Sequence, residues 1–158
     1  MKKWLKLILC IIAVELIGIA GGFFTSSSVN SWYSTIIKPS FNPPIWLFGP
    51  VWTILYAMIG LSLFLFLEAR QKSKDKKKGY WIFGVQLLLN FMWSIVFFGM
   101  QQIFGALIVI ALLWIFILLN ILAFYKISKV SGWLLVPYWL WVSFASVLNF
   151  ALWQLNIK

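Results

Sequence analysis

Histidine is absent from this 158-residue chain, cysteine occurs once, and the acids number three, Glu15, Glu68 and Asp75. Without histidine and with Cys10 alone, no zinc site, disulfide framework or Ser-His-Asp triad can be assembled. Glu68 and Asp75 flank a run of lysines, where headgroup water solvates them, so they do not read as a catalytic pair. Hydrolytic and metal-dependent chemistry is therefore not expected, and neither is a metal or a required cofactor. Charge as a whole is scarce: 10% of residues are charged, against 63% hydrophobic and 20% aromatic. A soluble domain of this length could not hide so much apolar surface.

What is present is long apolar runs. About 20 apolar residues cross the hydrocarbon core as a helix, and five such segments can be marked, at about 4–24, 46–69, 80–100, 103–125 and 133–155. They lack the alternation of a barrel strand. The sequence thus predicts an all-α fold: a five-transmembrane-helix bundle forming a single membrane domain over residues 1–158. The first segment has the outline of a secretory leader cleaved after Ala20, but Glu15 interrupts its apolar region, so a retained helix is expected.

Orientation follows from the cations. Of 13 Lys and Arg, all but Lys38 and Lys158 fall in the N-terminus, the 70–79 loop and the 126–132 loop, which five helices place on one side. The positive-inside rule then puts the N-terminus in the cytoplasm and the C-terminus outside, in a cell (plasma) membrane. The net charge of +10 reads as this topology signal plus attraction to anionic membrane lipid, with no nucleic-acid partner.

Between the first two spans, residues 25–45 form an external loop rich in aromatics and proline. Pro39, Pro43, Pro44 and Pro50 stiffen the approach to the second helix, since proline fixes φ and lacks an N–H. A stiff lid over the mouth of a bundle suggests ligand binding. Helical spacing adds stripes: Trp52 with Tyr56; Gln86, Asn90, Trp93 and Phe97; Pro137, Trp141, Ala145 and Asn149. Polar side chains at mid-membrane should face the bundle, because lipid offers them no partner. Amides serve elsewhere as interhelical glue, but three helices with such stripes beneath a lid point to a pocket. Glu15 stands near the middle of the first helix, where an ionisable group by default marks a function or bonds a neighbouring helix. Gly18 and Gly22 have GxxxG spacing, which serves close packing or a dimer contact. Leu122, Tyr125 and Lys129 loosely match a sterol-contact pattern.

Read in order, these motifs resemble the tryptophan-rich sensory protein family, also called translocator or peripheral benzodiazepine receptor proteins. The resemblance runs through Gly21-Gly22-Phe23, Trp32-Tyr33, Lys38-Pro39-Ser40-Phe41, Pro43-Pro44, Gly49-Pro50-Val51-Trp52, Leu55-Tyr56, Gln86-Leu87, Asn90, Trp93, Phe97-Phe98-Gly99, Pro137-Tyr138, Trp141, Ala145 and Asn149, covering nearly the whole chain. It implies a five-helix bundle, usually a homodimer, whose pocket is closed by the first loop and binds porphyrins such as protoporphyrin IX. By position the family's pocket residues fall on Tyr33, Trp46, Trp52, Asn90, Trp93, Trp141 and Ala145. Trp52 and Trp141 resemble two tryptophans tied to light-dependent porphyrin breakdown, and would be the catalytic pair if this chain has that activity. Phe41 stands where many relatives have tryptophan. The C-terminal segment lacks the Tyr-then-Arg pattern tied to sterol binding, so sterol is not expected. Glu15 maps onto no family site.

Three functions follow as expectations. The first is tetrapyrrole binding for sensing, sequestration or transport, with indoles and Tyr56 inside and Lys38 approaching a propionate at the mouth. The second is light- or oxidant-dependent porphyrin degradation. The third is proton-coupled export through Glu15, although exporters with such a glutamate are generally shorter four-helix chains without the lid. With no histidine, haem iron lacks its commonest axial donor, so free-base porphyrin should bind at least as well as haem.

Overall fold

A computed structural model describes residues 2–69 and 74–157, apart from the side chain of Lys74; Arg70, Lys72 and Lys158, used above for topology, lie outside it. The elements are α1 (Lys3–Val29), α2 (Trp32–Thr35), α3 (Ile45–Glu68), α4 (Lys74–Ser94) running into a π-helical turn (Ile95–Gly99), α5 (Ile103–Ile127), α6 (Lys129–Leu134) and α7 (Val136–Leu155). Among the described residues five helical stretches are long and apolar enough to cross a membrane, α6 and α7 together forming the fifth. The protein is an all-α, five-helix integral membrane bundle.

Local chemistry moves several boundaries from where hydropathy sets them. α1 continues to Val29 rather than ending near residue 24. There the hydroxyls of Thr25, Ser26 and Ser27 fold back onto the carbonyls of Gly21, Phe23 and Phe24, giving short polar side chains an intrahelical partner. The lid shortens to residues 30–44 and contains the single turn α2. Pro50 lies inside α3, in its second turn, where it removes only one hydrogen bond near the helix start. At the other end, Ser128 breaks the chain with extended backbone (φ −147°) and its hydroxyl caps α6 by accepting from the Ser131 N–H.

The spans form a ring in which α1 lies between α3 and α4, α5 between α4 and α7, and α6 and α7 return to α3. At the basic end the ring is filled. Phe66 stacks on Phe124 with ring centroids 3.9 Å apart, and Phe83 stacks on the same ring at 5.6 Å. Ser62 and Ser131 exchange hydroxyl-to-carbonyl hydrogen bonds of 2.7 Å each way, tying α3 to α6. Helices in lipid gain little from apolar transfer, so contacts this close and bonds of this kind decide the packing.

Candidate functional site

α1 touches α3 closely at the basic end and leaves it towards the lid. At Gly60, an added Cβ would lie 2.6 Å from the Ile11 Cα; at Gly18 it would run into the Tyr56 ring. Nearer the lid, about one turn beyond Gly18 on α1 and two turns before Tyr56 on α3, a Cβ at Gly22 or Gly49 would meet nothing within 4 Å. α1 meanwhile stays on α4: Gly21 faces Ser94, and the Ser28 hydroxyl donates to the Phe98 carbonyl at 2.6 Å. The result is a wedge-shaped cavity of about 430 Å³ inside the lid half of the bundle, within the usual range of small-molecule sites, about 300–1,000 Å³.

Four elements and the lid make its wall. α3 contributes Phe48, Trp52 and Tyr56; α4 and the π turn contribute Asn90, Trp93, Phe97 and Phe98; α7 contributes Ala145, Leu148, Asn149 and Leu152; α1 contributes Glu15, Gly18, Ile19 and Gly22; and Tyr33 comes from α2. The aromatic members lean on one another. Trp52 stacks on Tyr56 at 5.4 Å, and Trp93 stacks on Phe97 at 5.1 Å. Offset stacking of this kind fixes rings that would otherwise turn into the void.

The floor is a chain of hydrogen bonds across three helices. Tyr56 Oη donates to Asn90 Oδ1 (2.6 Å), Asn90 Nδ2 donates to Tyr138 Oη (2.9 Å), and Tyr138 Oη donates to Gln86 Oε1 (3.1 Å). Higher on the wall, Trp93 Nε1 donates to Asn149 Oδ1 and Asn149 Nδ2 to the Ile103 carbonyl, both at 3.0 Å. These bonds engage the amides of Asn90 and Asn149, which lipid could not pair, while Gln86 uses only its oxygen and its Nε2 has no partner among the described residues.

The lid is held at both ends. Buried Tyr33 donates to Asn42 Oδ1 at 2.7 Å, and burial pushes its phenol above the ordinary value. Asn156, just beyond α7, accepts from the Ile37 N–H (3.0 Å) and donates to the Ile37 carbonyl (2.9 Å). Phe41 packs edge-on against Phe144.

The cavity brings together Tyr33, Trp52, Tyr56, Asn90, Trp93 and Ala145 from the sequence reading. It does not bring in Trp46, Lys38 or Trp141. Trp46 is 71% exposed, because its helical position turns it away from the face carrying Phe48 and Trp52. Trp141 stands behind the wall, edge-on to Phe48 at 6.1 Å. Lys38 bonds the Ile36 carbonyl and sits 4.9 Å over the Tyr33 ring, one residue removed from the wall. Sequence reasoning left out Phe48, Phe98 and the Asn156 clamp, and could not place Glu15. Only its mid-helix position signalled that it belongs to a site.

With this geometry in hand, comparison with known proteins is informative. The model of the TspO/MBR family matches residues 10–154. The chain is 50% identical over 155 residues to a tryptophan-rich protein TspO of Chlorobaculum tepidum, covering 98% of each. It is 48% identical over 152 residues to one of Archaeoglobus fulgidus, covering 96% of this chain and 97% of that one. It is also 32% identical over 137 residues to the translocator protein of Homo sapiens, covering 86% of this chain and 81% of the human one. A match that spans all five helices, the lid and every wall of the cavity leaves one conclusion: the chain belongs to the TspO/MBR family.

Proposed function

We propose that this protein binds a tetrapyrrole in the lidded cavity and uses that binding to sense, sequester or move the pigment. The supporting observation is the wall itself, where Trp52, Trp93, Phe48 and Phe97 surround a space that a flat, apolar ring system suits. The name of the human relative, translocator protein, agrees with movement of a ligand across or into the membrane. Propionates would point to the lid, where Lys38, already over Tyr33, offers a cation. The protein sits in the cell membrane with its N-terminus cytoplasmic and its C-terminus outside, as a homodimer needing no cofactor.

Titration of the purified protein with protoporphyrin IX tests this, read by Soret absorbance and quenching of tryptophan fluorescence. Saturable binding is expected, with haem binding no tighter than the free base. Absence of saturation, or a strong preference for haem, overturns the reading. Porphyrin degradation is the second reading. Trp52 on the wall favours it, while Trp141, behind Phe48, gives it less support. Illuminating the complex of wild type and of a Trp52→Phe, Trp141→Phe variant decides it, because equal product from both makes the protein a bystander.

A further inference from the structure

Glu15 lies midway along α1, on the cavity wall at the end where Tyr56 and Asn90 form the floor. Its carboxyl has no hydrogen bond or ion pair among the described residues. The nearest cation along its own helix towards the basic end, Lys6, is engaged with Glu68 at 2.8 Å, and no Lys or Arg among the described residues lines the cavity. Glu15 is only partly buried, but an unpaired carboxylate at mid-membrane depth is still costly until an opposite charge or a donor reaches it.

The other polar groups of the wall carry no charge to offset this, and most of them are already paired inside the protein. Tyr56 donates to Asn90, Asn90 to Tyr138, Trp93 to Asn149 and Asn149 to the Ile103 carbonyl. Of the wall's side-chain donors, Trp52 Nε1, the Ser94 hydroxyl and the second N–H of each of Asn90 and Asn149 are left. The inner end therefore holds neutral dipoles of both kinds, and Glu15 is the one ionisable carboxyl among the described residues of the cavity lining. A guest whose leading end carries negative charge is disfavoured there, and a guest leading with N–H groups and positive charge is favoured.

We infer that Glu15 is a specificity-determining residue and that the cavity takes flat aromatic cations, amine end inward, paired with its carboxylate. This rests on the cavity and not on the tetrapyrrole reading. The stacked aromatic wall holds the ring system, and Glu15 selects by charge.

Three tricyclic probes of similar shape test it: aminoacridine (cation), anthracene (neutral) and anthracene carboxylate (anion). They are titrated by fluorescence into the full chain in phosphatidylcholine nanodiscs, which carry no competing anionic lipid. Wild type should bind aminoacridine at least tenfold more tightly than the carboxylate. Glu15→Gln should erase that ratio, Glu15→Asp should keep most of it, and Gly22→Phe, which fills open space on the wall, should weaken all three probes. Aminoacridine should also protect Glu15 of the wild type from dicyclohexylcarbodiimide, read by mass spectrometry, which does not depend on any variant folding. A cation preference that survives Glu15→Gln, undiminished binding of the probes to Gly22→Phe, no preference in wild type, or no protection overturns the inference. Failure of protoporphyrin to bind in parallel titrations would sink the tetrapyrrole reading and leave this one standing.

Discussion

Tyr56 and Asn90 meet at 2.6 Å across the α3–α4 boundary, and through that bond the cavity floor is fastened to α7 as well, because the same amide donates to Tyr138. The floor is thus one connected unit. Asn90 occupies its centre, with a partner on each side.

Removing the centre should cost more than removing an end. Tyr56→Phe takes away one bond and leaves Asn90 Oδ1 unpaired; a single interhelical bond in a membrane protein contributes about 0.6–2 kcal/mol. Asn90→Leu leaves two buried tyrosine hydroxyls short of partners and should cost about 2–4 kcal/mol. Thermal unfolding in detergent should show the larger fall in Tm for Asn90→Leu.

Two glycines should behave oppositely. Gly60→Ala drives a methyl against the α1 backbone at Ile11, which cannot yield as a flexible side chain would. It should destabilise by about 1–3 kcal/mol. Gly22→Ala meets open space and should be neutral or stabilising by up to about 1 kcal/mol, because alanine is the better helix former. Tm measured on both variants in the same detergent checks the contrast.

Two tryptophans about one and two-thirds turns apart on α3 should also separate. Trp52 stacks on Tyr56 and lines the cavity, so Trp52→Leu should weaken protoporphyrin binding about three- to tenfold, the worth of one aromatic pair. Trp46 faces outward, and Trp46→Leu should leave the affinity unchanged within about twofold. Fluorescence titration of the two variants reads both outcomes.

Asn156 is the lid's tie to the end of α7. Asn156→Ala removes both bonds to Ile37, each worth about 0.5–1.5 kcal/mol, at an exposed site far from the packed core. Ligand dissociation should quicken by about five- to 150-fold in stopped-flow measurements while Tm changes little. An unchanged off-rate would show that the lid does not gate the cavity.

The five spans were legible because their physics is local. Lipid demands about 20 apolar residues per crossing whatever their neighbours, so Leu- and Ile-rich runs declare themselves. The stripes of Asn90 with Trp93 and of Ala145 with Asn149 were legible too, since helical spacing alone sets which residues share a face. The extension of α1 through Thr25–Val29 was not, because those hydroxyls carry low hydropathy and become helical only by bonding their own backbone. Likewise, nothing in the neighbours of Trp46 distinguishes it from Trp52. Which of them faces inward depends on how α3 is rotated against α1.

By itself, then, the amino-acid order determined an all-helical membrane bundle, its basic and lidded ends, and the residue types available for a site. Only the tertiary structure decided where α1 and α3 separate, and therefore that a cavity exists, that Trp141 stands behind its wall, and that Glu15 looks into it. The reason is that a cavity is a property of distances between helices. Those distances are set by contacts such as Gly60 on Ile11 and Gly18 on Tyr56, which lie far apart in sequence.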